Sequence, residues 1–325
     1  MEYRKVGRTG LKVSEACLGT MTFGDQVSEA DAISMTHAAM DAGLNFLDTA
    51  NMYVGGRSEE IVGKAIKGRR EEVVLATKVA MPMGAGPNDA GLSRKQIMRS
   101  VEDSLTRLDT DYIDIYYVHR PDYDTPIEET LRTLDDLVHQ GKVRYLACSN
   151  FRAFQVTKAL WVSDLHNLAR FECIEPPYNL LTRDIEYELL PVCADEGIGV
   201  CAYNPLAGGL LSGKHDRTKA PAPGTRFSNE TMGNMYYERY WNDSNFDAVE
   251  QFRALAAETG RDMVQMALAW VLSNPIVTSV IIGATSMKHI NDNLAATELK
   301  LTKQELARCD SIWQALRPLR FFYGR

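Results

Sequence analysis

Eight times along this chain a short apolar run is followed by a helical pattern. The runs are Ala16–Gly19, Asn45–Asp48, Val73–Lys78, Ile113–His119, Val143–Ser149, Phe171–Glu175, Ile198–Tyr203 and Val277–Ile282. Strands that alternate with helices predict a parallel sheet, because each helix returns the chain across a sheet face. Eight such units in 325 residues predict one (β/α)8 barrel domain over residues 1–325, without linker or internal repeat. A doubly wound sheet is the structural rival. It would usually place a Gly-x-Gly-x-x-Gly turn after its first strand. Gly19-Thr20-Met21-Thr22-Phe23-Gly24 does not match that spacing.

Local signals agree with the alternation. Tyr3–Val6 and Leu11–Ser14 flank Gly7-Arg8-Thr9-Gly10 and read as an N-terminal β-hairpin. Ser28 with Asp31, Ser93 with Gln96 and Thr302 with Glu305 have capping-box spacing. Ser58, followed by Glu59 and Glu60, reads as a further helix start, and Thr125-Pro126-Ile127-Glu128 as a capping box with proline at the first helical position. Pro191 predicts a split or kink within the helical stretch 184–196. A connection of about 40 residues follows the seventh strand. The usual loop there is roughly 2–6 residues, so extended loops are expected on the face carrying the strands' C-terminal ends.

The formal net charge of −7 argues against a broad nucleic-acid footprint, though not against a local basic pocket for one anionic ligand. No apolar run approaches the roughly 20 residues of a membrane span. Met1-Glu2-Tyr3-Arg4-Lys5 lacks an apolar signal core, so a cytoplasmic protein with no membrane partner is expected. Cysteines at positions 17, 148, 173, 193, 201 and 309 include no Cys-x-x-Cys pair. Cys17, Cys148, Cys173 and Cys201 fall in apolar runs and read as small buried hydrophobes; no metal site is expected.

Three successive runs end in ionisable side chains, Asp48, Lys78 and His119, and Tyr53 follows Asp48 closely. In a parallel barrel that end of the strands carries the active site. A free phenol, with a pKa near 10, is a weak acid at neutral pH. A neighbouring ammonium favours the phenolate and pulls that value down. An aspartate keeps the lysine charged and aimed, and a neutral histidine can orient a carbonyl oxygen. The set suits protonating an alkoxide as it forms on a carbonyl, and it holds no hydrolase-type nucleophile–base pair. A carbonyl that gains a proton on oxygen must gain a hydride on carbon. No side chain supplies hydride, so a nicotinamide or flavin is implied. Ser149 and Asn150 offer hydrogen bonds and Tyr203 a flat face for an aromatic ring. Residues 209–214 and 283–293 offer backbone amides and helix N-termini to phosphates.

Several stretches, in this order, carry a resemblance. They are Asp48-Thr49-Ala50-Asn51-Met52-Tyr53, Gly56-Arg57-Ser58-Glu59, Thr77-Lys78, Asp114-Ile115-Tyr116-Tyr117-Val118-His119, Gly141-Lys142-Val143-Arg144, Ser149-Asn150, Tyr203-Asn204-Pro205-Leu206 and Gly283-Ala284-Thr285-Ser286. Over nearly its whole length the chain resembles an aldo-keto reductase. The resemblance implies a metal-free (β/α)8 barrel that binds NADP(H), with NAD(H) as the alternative. It implies reversible reduction of an aldehyde or ketone to an alcohol, the carbonyl reductase and alcohol dehydrogenase class. Tyr53 would be general acid/base, Lys78 and Asp48 would tune it, and His119 would orient substrate. Cofactor contacts are implied at Gly19, Thr20, Met21, Asp48, Ser149, Asn150, Glu175, Tyr203, Asn204, Pro205, Leu206, Gly208, Gly209, Leu210, Ser212, Lys214, Arg226, Ile282, Gly283, Ala284, Thr285, Ser286, Lys288, His289, Asp292 and Asn293. The C-terminus and the long seventh loop look more like bacterial branches related to potassium-channel β subunits than like the aldose-reductase branch.

Three positions depart from the family pattern. Glu175 and His289 stand where glutamines are usual. Ser286-Met287-Lys288 replaces the arginine or lysine often found after Gly-Ala-Ser/Thr. A glutamine both donates to and accepts from a nicotinamide carboxamide, whereas a carboxylate only accepts. Glu175 therefore leans toward the positively charged oxidised ring. Arg226 and Lys288 are the candidates for a 2′-phosphate contact.

Phe23, Met21, Arg120 and Trp241 are candidate substrate contacts. Tyr236, Tyr237, Tyr240 and Trp241 would wall the substrate, lid the cofactor, or meet another subunit of a homo-oligomer. Asp114, in mid-strand, reads as structural. Singly, Asp48 as a cap, Lys78 as a solvated strand end and His119 as a core histidine are ordinary readings; their recurrence at successive strand ends favours chemistry. Two other functions compete. One is a redox- or cofactor-sensing partner of the channel β-subunit type. The other is a Schiff-base aldolase using Lys78, which an acidic neighbour disfavours because a nucleophilic lysine must be deprotonated.

Overall fold

The apolar runs become strands buried on both faces, and those strands close on themselves. β1 (Tyr3–Lys5) and β2 (Lys12–Ser14) form the expected antiparallel hairpin. Eight parallel strands form a closed barrel: β3 (Ala16–Gly19), β4 (Phe46–Asp48), β5 (Val74–Val79), β6 (Ile113–Val118), β7 (Val143–Ser149), β8 (Phe171–Glu175), β9 (Gly199–Ala202) and β10 (Val277–Gly283). β10 pairs with both β3 and β9 and completes the ring. The computed structural model describes residues 1–228 and 233–316.

The chain packs as two units. The first, Met1–Pro176, Ile185–Tyr203 and Ile276–Asn291, holds the hairpin and the barrel. Its helices are α1 (Glu29–Asp41), α2 (Arg57–Ala65), α3 (Arg94–Leu108), α4 (Ile127–His139), α5 (Ala153–His166) and α6 (Leu189–Glu196). The second takes Pro177–Asp184, Asn204–Pro275 and the described residues from Asp292 onward. It holds α7 (Gly233–Tyr240), α8 (Asp243–Glu258) and α9 (Met263–Ser273). α10 (Met287–Ala295) begins in the first unit, and α11 (Lys303–Leu316) lies in the second. Among the described residues no helix is long and apolar enough to cross a membrane.

Parallel barrel strands have no solvated face, so their sequences run apolar without alternation; all of β5 is buried. The interior is one cluster that includes Cys17, Phe46, Ala76, Ile115, Tyr117, Ala147, Cys173, Cys201 and Ile281. Val6 and Val13 of the hairpin pack into the same cluster. The hairpin thereby seals the end of the barrel where the strands begin: a Cβ on Gly7 would lie 2.3 Å from the Gly197 carbonyl. Fully burying each large apolar side chain is worth about 1.5–3 kcal/mol. The opposite end is left for polar groups.

Four local expectations change. Ser58 does not cap α2, whose N-cap is Gly56. Its buried hydroxyl instead lies 2.8 Å from Thr20 Oγ1 and 2.9 Å from Thr49 Oγ1, and donates to the Thr20 carbonyl at 2.9 Å. It ties the ends of β3 and β4 to the start of α2. Thr125 does not cap α4, because its hydroxyl donates to Asp122 at 2.8 Å. The break in 184–196 falls upstream of Pro191, which sits in the first turn of α6, where its missing N–H costs nothing. The long seventh connection contains α7 and short 3-10 turns, which no periodic pattern announced.

A second polar anchor fixes α2 beside β5. Fully buried Glu59 accepts from Thr77 Oγ1 at 2.6 Å and from Arg107 Nε at 2.7 Å. Removing one partner of a buried pair strands the other, at a cost of about 3 kcal/mol. Glu59→Ala should therefore lower the urea midpoint by that equivalent with the denaturant slope unchanged. A loss within experimental error would show that Glu59 anchors nothing.

Candidate active site

The chain reaches the open end of the barrel first through β4. Asp48 is its last residue, and a sharp turn follows at Tyr53–Gly56. That turn is left-handed at Val54 (φ 49°), Gly55 (φ 62°) and Gly56 (φ 97°). A Cβ on Gly56 would also lie 2.8 Å from Arg107, so glycine meets both demands. The bend brings Tyr53 back toward Lys78 of β5.

Lys78 is fully buried and Asp48 is 2 % exposed. The ammonium donates to Asp48 Oδ1 at 2.6 Å and Oδ2 at 2.5 Å, and to the Thr49 carbonyl at 3.0 Å. It lies 3.5 Å from the Tyr53 hydroxyl. The Tyr53 and His119 rings meet edge to face with centroids 6.0 Å apart. Asp48, Tyr53, Lys78 and His119 are thus brought together at the strand ends.

A further carboxyl joins them. Glu175, the last residue of β8, is 4 % exposed, and its Oε2 lies 3.4 Å from Lys78 Nζ without hydrogen-bond geometry. One ammonium therefore faces two carboxyl groups.

The electrostatics follow from burial and from that surplus. Burial alone would lower the Lys78 pKa, but Asp48 and Glu175 outweigh it and hold the ammonium well above its ordinary value. Burial pushes Asp48 up, against the pull of Lys78. Burial, then the Asp48 charge, pushes Glu175 up to about 8, with Lys78 opposing. Tyr53 does not follow the expected direction. Lys78 does pull its pKa down, but burial and the charges of Asp48 and Glu175 raise it above the ordinary phenol value. Burial, with Lys78 and Arg120 nearby, holds His119 down to about 3. The site at neutral pH therefore contains a protonated phenol, an ammonium and a neutral imidazole.

The residues expected to bed a cofactor converge in part. Ser149 Oγ donates to the Glu175 carbonyl at 2.8 Å, and Asn150 Nδ2 donates to the His119 carbonyl at 2.9 Å. Tyr203 donates its hydroxyl to Asn150 Oδ1 at 2.8 Å. Gly19 pairs with Asp48 on one side and Gly283 on the other. A Cβ there would lie 2.7 Å from Ile281. Thr20 joins the Ser58 hydroxyl network described above, and Thr22 bonds the Ala284 carbonyl at 3.1 Å. These contacts gather Gly19, Thr20, Met21, Ile282, Gly283 and Ala284 around neighbouring strand ends. His289 Nδ1 accepts from the Thr285 amide at 3.4 Å, and Ser286 Oγ accepts from the His289 amide at 3.3 Å. Lys288 sits beside it in the first turn of α10.

The remaining expected residues lie in the second unit. Asn204 donates to the Tyr240 hydroxyl at 2.8 Å and accepts from the Gly208 amide at 2.6 Å. Pro205, Leu206, Gly209, Leu210, Ser212 and Lys214 follow on the same segment, where Ser212 Oγ donates to the Gly209 carbonyl at 2.7 Å. Arg226 donates to the Tyr236 hydroxyl at 2.8 Å. Trp241 packs among His215, Phe227, Tyr237 and Phe246. Asp292 and Asn293 lie on α10. Of the substrate candidates in the barrel unit, Phe23 is fully buried and Arg120 is exposed beside His119. Asp114 accepts from Arg70 at 2.7 Å and the Leu75 amide at 2.9 Å, a wall contact.

Sequence reasoning assigned no role to Thr49, whose carbonyl holds Lys78, nor to Asn51, whose buried side-chain amide has no hydrogen-bond partner. Both lie inside the Asp48–Tyr53 stretch. The family profile described as Aldo/keto reductase family matches residues 15–314.

The chain belongs to the aldo/keto reductase family.

Relatives in the family are similar over almost their whole length. A probable voltage-gated potassium channel subunit beta of Oryza sativa is 39% identical, with 97% of each chain covered. An uncharacterized oxidoreductase, YrpG, of Bacillus subtilis is 40% identical, with 96% of each covered. Protein tas of Escherichia coli is 37% identical, covering 97% of this chain and 98% of that one. The family makes the chain an oxidoreductase of small carbonyl compounds, a class that generally uses nicotinamide cofactors.

The neutral state of His119 has a thermodynamic consequence. Its pKa falls from an ordinary 6.5 to about 3 on folding. Between those values the unfolded chain binds a proton that the folded chain refuses. Stability therefore drops as pH falls from about 6.5 toward 3. His119→Gln should flatten that drop in urea midpoints measured across the range. A profile superimposable on wild type would contradict a buried neutral imidazole.

Proposed function

We propose that the protein is an NADP(H)-dependent carbonyl reductase that runs in reverse as an alcohol dehydrogenase. The observation that carries this reading is the Lys78 ammonium, held by Asp48 at 2.5 and 2.6 Å and lying 3.5 Å from the Tyr53 hydroxyl. When bound, the nicotinamide supplies hydride to a carbonyl carbon or takes it from an alcohol. In the reductive direction Tyr53 gives its hydroxyl proton to the substrate oxygen, and the proton is replaced from solvent. Lys78 stabilises the phenolate left behind. Asp48 keeps Lys78 charged and fixed. Neutral His119, edge-on to Tyr53, donates a hydrogen bond to the carbonyl oxygen and orients it. A phenol held protonated is the form a general acid needs.

The barrel unit fits a nicotinamide: Tyr203 offers a ring face, Ser149 and Asn150 offer polar atoms, and Glu175 Oε2 is buried without a hydrogen bond. Gly19 keeps backbone exposed where a side chain would intrude. Arg226 and Lys288 are our candidates for the 2′-phosphate that distinguishes NADP(H) from NAD(H). The Schiff-base reading has no support, because two carboxyl groups hold Lys78 as an ammonium.

A second reading is a redox- or cofactor-sensing subunit of the channel β-subunit type, suggested by relatives named as probable voltage-gated potassium channel β subunits. Negligible turnover across sugars, small aldehydes and polycyclic ketones, with tight cofactor binding, would select it.

General acid catalysis is typically worth about 10²–10⁴ in rate. Tyr53→Phe should lose that much turnover with NADPH and an aldehyde, while fluorescence titration shows cofactor binding retained. Near-wild-type turnover in this variant would reject the assignment.

A further inference from the structure

Lys78 has three N–H donors and more than three claimants. Asp48 takes two contacts, at 2.6 and 2.5 Å, and the Thr49 carbonyl takes another at 3.0 Å. Tyr53 at 3.5 Å and Glu175 at 3.4 Å are both left at the edge of bonding distance, on the same ammonium. Glu175 is 4 % exposed, and among the described residues its buried Oε2 has no hydrogen-bond partner. A glutamine in this place would add no charge. The carboxyl group does, in a buried site whose one cation among the described residues is Lys78.

We propose that Glu175 is a positioning residue that competes with Tyr53 for the Lys78 ammonium, and that its proton decides how strongly Lys78 supports the Tyr53 phenolate. The inference rests on the reductase reading for its catalytic consequence, but not for the charge competition itself. With the proton on, Glu175 is neutral, and Lys78 answers only to Asp48 and the developing phenolate. With the proton off, a second negative charge offsets Lys78, and Tyr53 holds its own proton more tightly. The direction agrees with the electrostatics: the Glu175 charge raises the Tyr53 pKa, and Glu175 itself is pushed up to about 8.

Other titratable groups around Glu175 do not supply the missing counter-charge. Asp48 of β4, Tyr53 after it, Tyr117 of β6 and Cys17 of β3 are acids, and each has its pKa raised. Cys173, on the same strand, lies 3.4 Å from Cys201 of β9. The flanking residue on β7 is Ser149, an uncharged hydroxyl. Lys78 is the cation this set shares.

Glu175→Gln and Glu175→Asp test the proposal through two separate readouts. The first is urea stability of the unliganded chain against pH. The folded pKa of Glu175 lies near 8 against an ordinary 4.5, so the folded chain binds the extra proton between them and stability falls as pH rises through that window. Glu175→Gln should become progressively more stable than wild type from about pH 4.5 to 8, and Glu175→Asp should keep the dependence. A constant offset for Glu175→Gln would overturn the proposal whatever the enzyme does. The second readout is the pH profile of kcat in both directions. Removing one charge at this range should move the Tyr53 ionisation down by about one pH unit or more. The alkaline limb of reduction and the acid limb of alcohol oxidation should then both shift to lower pH in Glu175→Gln. Unmoved limbs, with turnover intact, would overturn the catalytic half. If Tyr53→Phe proves fully active, the reductase reading fails while the stability result stands on its own.

Discussion

A buried ammonium held between carboxyl groups is the contact on which this site depends. Taking Lys78 out of water is expensive, and the Coulomb attraction of Asp48 offsets that cost only at close range and with the remaining donors satisfied. The structure meets both conditions, with two short contacts to Asp48 and a third to the Thr49 carbonyl. Much of the surrounding architecture serves to hold the two strand ends in register. The Ser58 hydroxyl couples Thr20 to Thr49, and Glu59 couples α2 to Thr77, next to Lys78. The hairpin closes the far end of the barrel, where Val6 and Val13 pack into the interior cluster.

Charge surplus then decides the protonation states. A lone lysine beside a tyrosine would make the phenol a stronger acid. Here the lysine is already claimed, and burial and two carboxyl groups push the phenol the other way. A site in this state is poised to donate a proton rather than to accept one. His119 is neutral for a related reason: burial and the neighbouring cations Lys78 and Arg120 exclude a second positive charge. Glu175 stands out because it adds a charge where a glutamine would add none. The same replacement makes this mouth sensitive to pH in a range where a glutamine would be silent.

The position of the chain within its family is broad rather than narrow. Its relatives include proteins named as oxidoreductases and proteins named as channel subunits, at similar identity.

The sequence by itself determined the barrel and the polar side chains at its strand ends. Strand–helix alternation is a local pattern, and the C-terminal ends of the strands in a parallel barrel share one face. Asp48, Lys78 and His119 could therefore be placed from spacing alone, as could the helix cap at Ser28 and the capping box at Thr302. Only the tertiary structure decided which groups share a charge. Glu175 on β8 and Lys78 on β5 lie three barrel strands apart in the chain, and they meet because the sheet closes. The same holds for Ser58, read as a cap and found instead as a bridge between β3 and β4, and for the direction of the Tyr53 shift. Burial and the sum of several charges act through space, and no local pattern encodes their balance.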